Sequence, residues 1–175
     1  MFTDMVMKFE ISEIESSKAR IPHDIFLTNL IFNHILVFVA IMSASSLTQY
    51  VVVVPVLSIL SMIIIFIGTW RAKKTSSWYV NGHWQLCAKR SRLFLVMICL
   101  VLAVFTLLWF ISDGNLRPQH WAIGGATFLP TMVTVLVLII MESEALHHAK
   151  IGMLPDWVIE RFPEGAPQPL KEDKA

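Results

Sequence analysis

The chain has 175 residues, and its 14 Lys and Arg against 13 Asp and Glu leave a net charge of +1, which offers no basic face for nucleic acid. Hydrophobic residues make up 55 % and charged residues only 15 %, and mean hydropathy is +0.64. Soluble domains carry about 25 % charged residues, so the composition excludes an ordinary soluble domain.

The first 24 residues are polar and mixed in charge, with Asp4, Glu10, Glu13, Glu15 and Asp24. A secretory leader would run from basic residues straight into an apolar core. This stretch is therefore expected to be a cytosolic arm, with 2–14 a short amphipathic helix lying on lipid headgroups.

Four apolar runs follow, at 25–47, 51–70, 93–112 and 121–141, and none contains Asp, Glu, Lys or Arg. About 20 apolar residues in a helix cross the hydrocarbon core. The expected fold is an all-α integral membrane protein with four transmembrane helices in two hairpins, occupying 25–152, followed by a tail over 153–175. The loop at 71–92 carries Arg71, Lys73, Lys74, Lys89, Arg90 and Arg92, the link at 43–50 no basic residue, and the link before the fourth run only Arg117. Basic loops stay in the cytoplasm, so the 71–92 loop and both termini are expected there, in a multi-pass protein of the bacterial cytoplasmic (inner) membrane. Trp70, Trp109 and Trp121 fall at span ends, where the amphipathic indole favours the headgroup level.

Within the basic loop, Asn81-Gly82 is a turn signal, with 71–79 open to extend the second helix before it and 83–92 to lead into the third after it. Trp78 and Trp84 are expected at the membrane surface, the basic residues meeting anionic headgroups or a partner. After the fourth run, 142–150 is expected to continue the helix as far as Gly152, which stops it. A short interfacial helix over 155–162 and an extended end should follow.

Polar residues in lipid are costly and point to interactions. Asn29 and Asn33 lie one turn apart with His34 beside them, a face that must meet another helix or a ligand. Gly124, Thr127, Thr131 and Thr134 form a small-residue stripe in the fourth run, suited to close helix packing, with Pro130 inside it. Ser58, Ser61 and Pro55 play a similar part in the second run.

Past the fourth run stand Glu142, Glu144, His147 and His148. Glu144 and His147 have Glu-x-x-His spacing, with His148 at i+4, as in carboxylate-bridged metal sites of helix bundles. His23, His34 and His83 belong to the same predicted side. Glu144, His147, His148 and His83 are thus the candidate ligands for haem or a transition metal. A solvated helix end, with histidines that suit the helix dipole, is the plainer account. Cys87 and Cys99 lack a CxxC spacing and are expected to be free, inert thiols. His120, beside Trp121, is expected at an interface. Nucleophile-elbow, Walker, zincin and dinucleotide-binding motifs are missing.

The leading expectation is a non-catalytic membrane subunit or accessory protein without a cofactor, bound to other membrane subunits and lipid. The alternatives are a metal- or haem-binding redox protein, and a homo-oligomeric channel or small transporter.

Overall fold

The computed structural model describes residues 6–170. Four of its helices are long and apolar enough to cross a membrane: Glu13–Ser43, Val53–Thr75, Trp78–Ile111 and Pro118–Ile151, called here the first to the fourth helix. In the most apolar window of each, at most 28 % is buried within the chain. Most of the hydrocarbon surface therefore faces outward, which water would not tolerate over so large an area and a bilayer requires. The architecture suits a multi-pass membrane protein.

The first helix starts well before its apolar run. Ser12 and Glu15 form a capping box: the Glu15 N–H donates to Ser12 Oγ at 3.2 Å, and the Ser12 N–H donates to the Glu15 carboxylate at 3.0 Å. The second half of the expected arm, from Glu13, is thus helix. The expected headgroup helix over 2–14 is not formed over 6–12. Val6–Lys8 is instead a strand, antiparallel to Met153–Pro155, with Val6 opposite Pro155 and Lys8 opposite Met153. Residues 1–5 of that expectation lie outside the described residues. An extended chain lets the Phe9 N–H donate to the Gly152 carbonyl at 2.8 Å, with the Phe9 side chain buried below.

Residues 71–92, expected as a connecting loop that extends the flanking helices on either side of a turn at Asn81-Gly82, are helical except at Ser76 and Ser77, so the break falls five residues earlier. Asn81-Gly82 lies inside the third helix. A Cβ on Gly82 would stand 3.0 Å from the Leu154 side chain and 3.2 Å from that of Val158, so this glycine serves close contact and not a turn. Gly68 plays the same part in the second helix, where a Cβ would run into the Trp84 ring.

The fourth helix buries Gly124, Thr131, Val135, Leu138, Glu142, Ala145 and Ala149. Steps of three and four residues make one inward seam. The Phe105 ring lies where a Gly124 Cβ would be, 2.5 Å from it. Thr127 and Thr134 are half-buried, their hydroxyls bonded back to the Ile123 and Pro130 carbonyls at 3.0 and 2.8 Å. The Thr131 hydroxyl is buried without a hydrogen-bond partner. Thr131→Val should therefore be neutral or stabilising by up to about 1 kcal/mol, while Thr131→Leu should cost about 1–3 kcal/mol through overpacking. Unfolding in detergent micelles checks the pair, and a Val variant as damaged as the Leu variant would show that the hydroxyl matters.

Gly152 ends the fourth helix in the left-handed region, at φ 83°, as its position predicts. A short helix, Asp156–Arg161, follows. Two cores result. One fills the bundle with Phe26, Leu30, Met62, Ile65, Phe94 and Leu138. The other, with Phe9, Ala19, Tyr79, Val80, Leu154 and Val158, caps the end where Val6–Lys8 meets Met153–Pro155.

Candidate functional site

A polar cluster lies just inside that cap. His23 of the first helix, His83 of the third and Glu142 of the fourth are all 0 % exposed. His23 Nδ1 is 2.6 Å from Glu142 Oε2, and His23 Nε2 is 3.0 Å from His83 Nδ1. Arg90 forms an ion pair with Glu142 Oε1 at 3.0 Å and also donates to the Met141 carbonyl at 2.8 Å. The Cys87 thiol donates to the Pro22 carbonyl at 3.3 Å. One nitrogen of His23, the Cys87 sulfur and one Glu142 oxygen lie within 4.8 Å of one another. Three helices supply these three groups, so the cluster fixes their relative rotation.

Helix spacing explains the convergence. His83, Cys87 and Ser91 recur every fourth residue on the third helix, one stripe facing inward. The same stripe continues through Phe94 and Ile98, which are also buried. The Tyr79 ring meets His83 edge-on at 4.8 Å. Its hydroxyl donates to the His148 and Ala149 carbonyls, 3.1 and 3.2 Å away, in the last turn of the fourth helix, where the His148 carbonyl also accepts from the Gly152 N–H.

A second polar layer lies deeper. Asn29 Nδ2 donates to Ser58 Oγ at 2.9 Å, and His34 Nε2 is 2.6 Å from the same oxygen. Asn33 Nδ2 donates to the Val54 carbonyl at 2.8 Å and to Asn29 Oδ1 at 3.3 Å. In a regular helix of 3.6 residues per turn, His34 would point about 140° away from Asn29. Here Asn29–Val37 is a π-helix, whose wider i→i+5 turn brings the fifth residue back towards the same face. That widening lets Asn29 and His34 share Ser58. Between the layers, Phe94 packs against both Phe26 and His34.

The other candidates lie elsewhere. Glu144 is exposed and 3.9 Å from half-buried His148, and His147 is exposed beside it. His83 is committed to His23, so the four candidate ligands do not converge. His34 lies eleven residues beyond the level of His23, and His147 five residues the other way from Glu142, an axial separation of roughly 20 Å. Arg71, Lys73, Lys74, Lys89 and Arg92 are exposed, whereas Arg90 turns inward. Trp78 and Trp84 also turn inward: Trp78 Nε1 donates to the Phe162 carbonyl at 2.7 Å, and Trp84 fills the notch at Gly68.

Sequence alone marks Cys87 as an inert thiol, and it groups His23 with the histidines of the predicted cytosolic side but leaves it out of the candidate ligands. The signal for Cys87 is its register with His83 and Ser91. His23 offered only its place beside Pro22. No protein-family model matches the chain, and no curated protein or solved structure matches it either.

Proposed function

We propose that the chain is a non-catalytic integral membrane subunit or accessory protein of a larger membrane complex, holding a partner's transmembrane helix against its first and second helices. In this reading it sits in a cytoplasmic membrane with both termini and the basic 71–92 segment in the cytosol. A groove of about 570 Å³ runs between those two helices, with Asp24, Thr28, Asn29, Asn33 and Ser61 among its lining residues. The observation that carries the reading is Asn33, which lines this groove and whose Oδ1, covered in the free chain, has no hydrogen-bond partner among the described residues, so that a turn of the amide is needed for a partner's donor to reach it. An unpaired acceptor in hydrocarbon costs about 1–3 kcal/mol. Acyl chains offer it no donor, and a polar side chain on a packed helix does. Asp24 at the groove repels an anionic headgroup and suits a Lys or Arg at the cytosolic end of a partner helix.

A photo-crosslinking side chain at Leu60, in the groove, is expected to give one discrete adduct with another membrane protein in cells. The same group at Ile140, 69 % exposed and outside the groove lining, should give lipid adducts alone. Thr28→Trp, which fills the groove, should abolish the protein adduct. Adducts at Leu60 with lipid only would remove the accessory reading, and adducts with a second copy of the chain would favour a homo-oligomer.

Orientation has its own test. Single cysteines at Ser76 and Pro167, in a Cys99→Ser background, should resist a membrane-impermeant thiol reagent in intact cells, and one at Asn115 should react. Labelling at Ser76 from outside would reverse the proposed topology.

A further inference from the structure

Glu142, His23, His83 and a backbone acceptor at Met153 form a line with three junctions. The first, His23 to Glu142, is 2.6 Å, and the second, His23 to His83, is 3.0 Å. At the third, His83 Nε2 faces the Met153 backbone without a well-formed hydrogen bond. A neutral imidazole carries one N–H. Two neutral histidines therefore supply two hydrogens to three junctions, and the one left without a hydrogen has room for a cation, either an extra proton or a metal ion.

We propose that the ion is a divalent transition metal of the zinc type, held at the Glu142–His23 junction by His23 Nδ1, Cys87 Sγ and Glu142 Oε2. Cys87, whose thiol donates to the Pro22 carbonyl in the metal-free chain, favours the metal, because a proton shared by an imidazole and a carboxylate has no use for a third donor atom. Here a thiol sulfur lies within 4.8 Å of both. Ser91 Oγ, beside that thiol, is also buried without a well-formed hydrogen bond. A nitrogen, sulfur and oxygen set suits zinc, cobalt and similar borderline ions. Metal–ligand bonds of about 2.0–2.3 Å place ligand atoms roughly 3–4 Å apart, a spacing reached by small rotations of Glu142 and Cys87.

The surrounding groups match a metal's outer shell. His83 Nδ1 would accept from His23 Nε2–H and fix the tautomer that frees Nδ1, and Arg90 holds the other Glu142 oxygen. On binding, the hydrogen of His23 Nδ1 is replaced at the relay's far end by one on His83 Nε2, facing Met153. The Cys87 thiol releases one proton to solvent. The Arg90 side chain, bonded to Glu142, is 15 % exposed and links the site to the surface.

The test uses the full chain in detergent, stripped with a chelator and titrated with Co²⁺ and then Zn²⁺. One equivalent of Co²⁺ should bind with a thiolate-to-cobalt charge-transfer band in the near ultraviolet, and Zn²⁺ should displace it. Cys87→Ser should abolish the band and Cys99→Ser should leave it unchanged. His83→Ala should weaken binding about 10- to 100-fold, as loss of an outer-shell partner does. Zn²⁺ should raise the thermal midpoint of the unaltered chain, a readout that requires no variant to fold. Binding of less than a tenth of an equivalent by the unaltered chain would leave the Glu142–His23 junction to a proton and overturn the proposal. A band that survives Cys87→Ser would place the metal elsewhere and overturn it equally.

Discussion

Glu142→Ala is expected to cost about 3–5 kcal/mol of unfolding free energy, measured in micelles with chelator present. Glu142 is 0 % exposed and accepts from Arg90 on one oxygen while the other meets His23. Truncation leaves the guanidinium with only the Met141 carbonyl and leaves His23 Nδ1 facing a void. The loss comes from stranding those groups, more than from the worth of the pair. Arg90→Ala should also be costly, and the double variant should fall well short of the sum of the two, because the groups share one network. Replacing both by apolar residues of matching volume should restore most of the stability. A single-variant loss below about 1 kcal/mol would mean that water reaches Glu142 and that the cluster is not a buried junction.

Gly152→Val should be the most damaging single change at the cap, at about 3 kcal/mol. A β-branched residue at φ 83° carries about 1–2 kcal/mol of left-handed strain. Its Cβ would also stand 2.5 Å from the Phe9 carbonyl oxygen, a backbone atom with no rotamer to yield. Overpacking of that kind adds about 1–3 kcal/mol. The strands at Val6–Lys8 and Met153–Pro155 should separate, and limited proteolysis should then cut near Phe9. Gly152→Asn tolerates the φ but keeps the Cβ, so it should be intermediate. A Val variant as protease-resistant as the parent would show that the N-terminal strand is not anchored through Gly152.

The four helices were legible because an uncharged run of about 20 residues has few other uses. Their ends were less so, because the criterion that finds a run stops at the first charge while the helix continues. The capping box at Ser12 and Glu15 was in plain view, and it starts the first helix about three turns before the lipid-facing run. Asn81-Gly82 misled because a turn signal and a packing notch use the same residue, and only the position of Leu154 distinguishes them. The inward stripe of His83, Cys87 and Ser91 becomes visible once 71–92 is read as helix. The pairing of His23 with Glu142, 119 positions apart, leaves no local trace. The same holds for the strand at Val6–Lys8, three residues long, whose partner begins almost at the far end of the chain.

The π-helical stretch Asn29–Val37 also acts as a phase shifter for the first helix. Each of its residues advances the chain by less than the roughly 100° of an α-helical step. The side chains before it and after it are therefore clocked differently from those of an uninterrupted helix. His23 faces Glu142 and His83 on one side of this offset, while Asn33 and His34 face the second helix within it. The two polar layers are keyed to each other like teeth on one shaft. Removing a residue such as Leu36 would return the stretch towards ordinary winding, and both layers could no longer engage their partners at once.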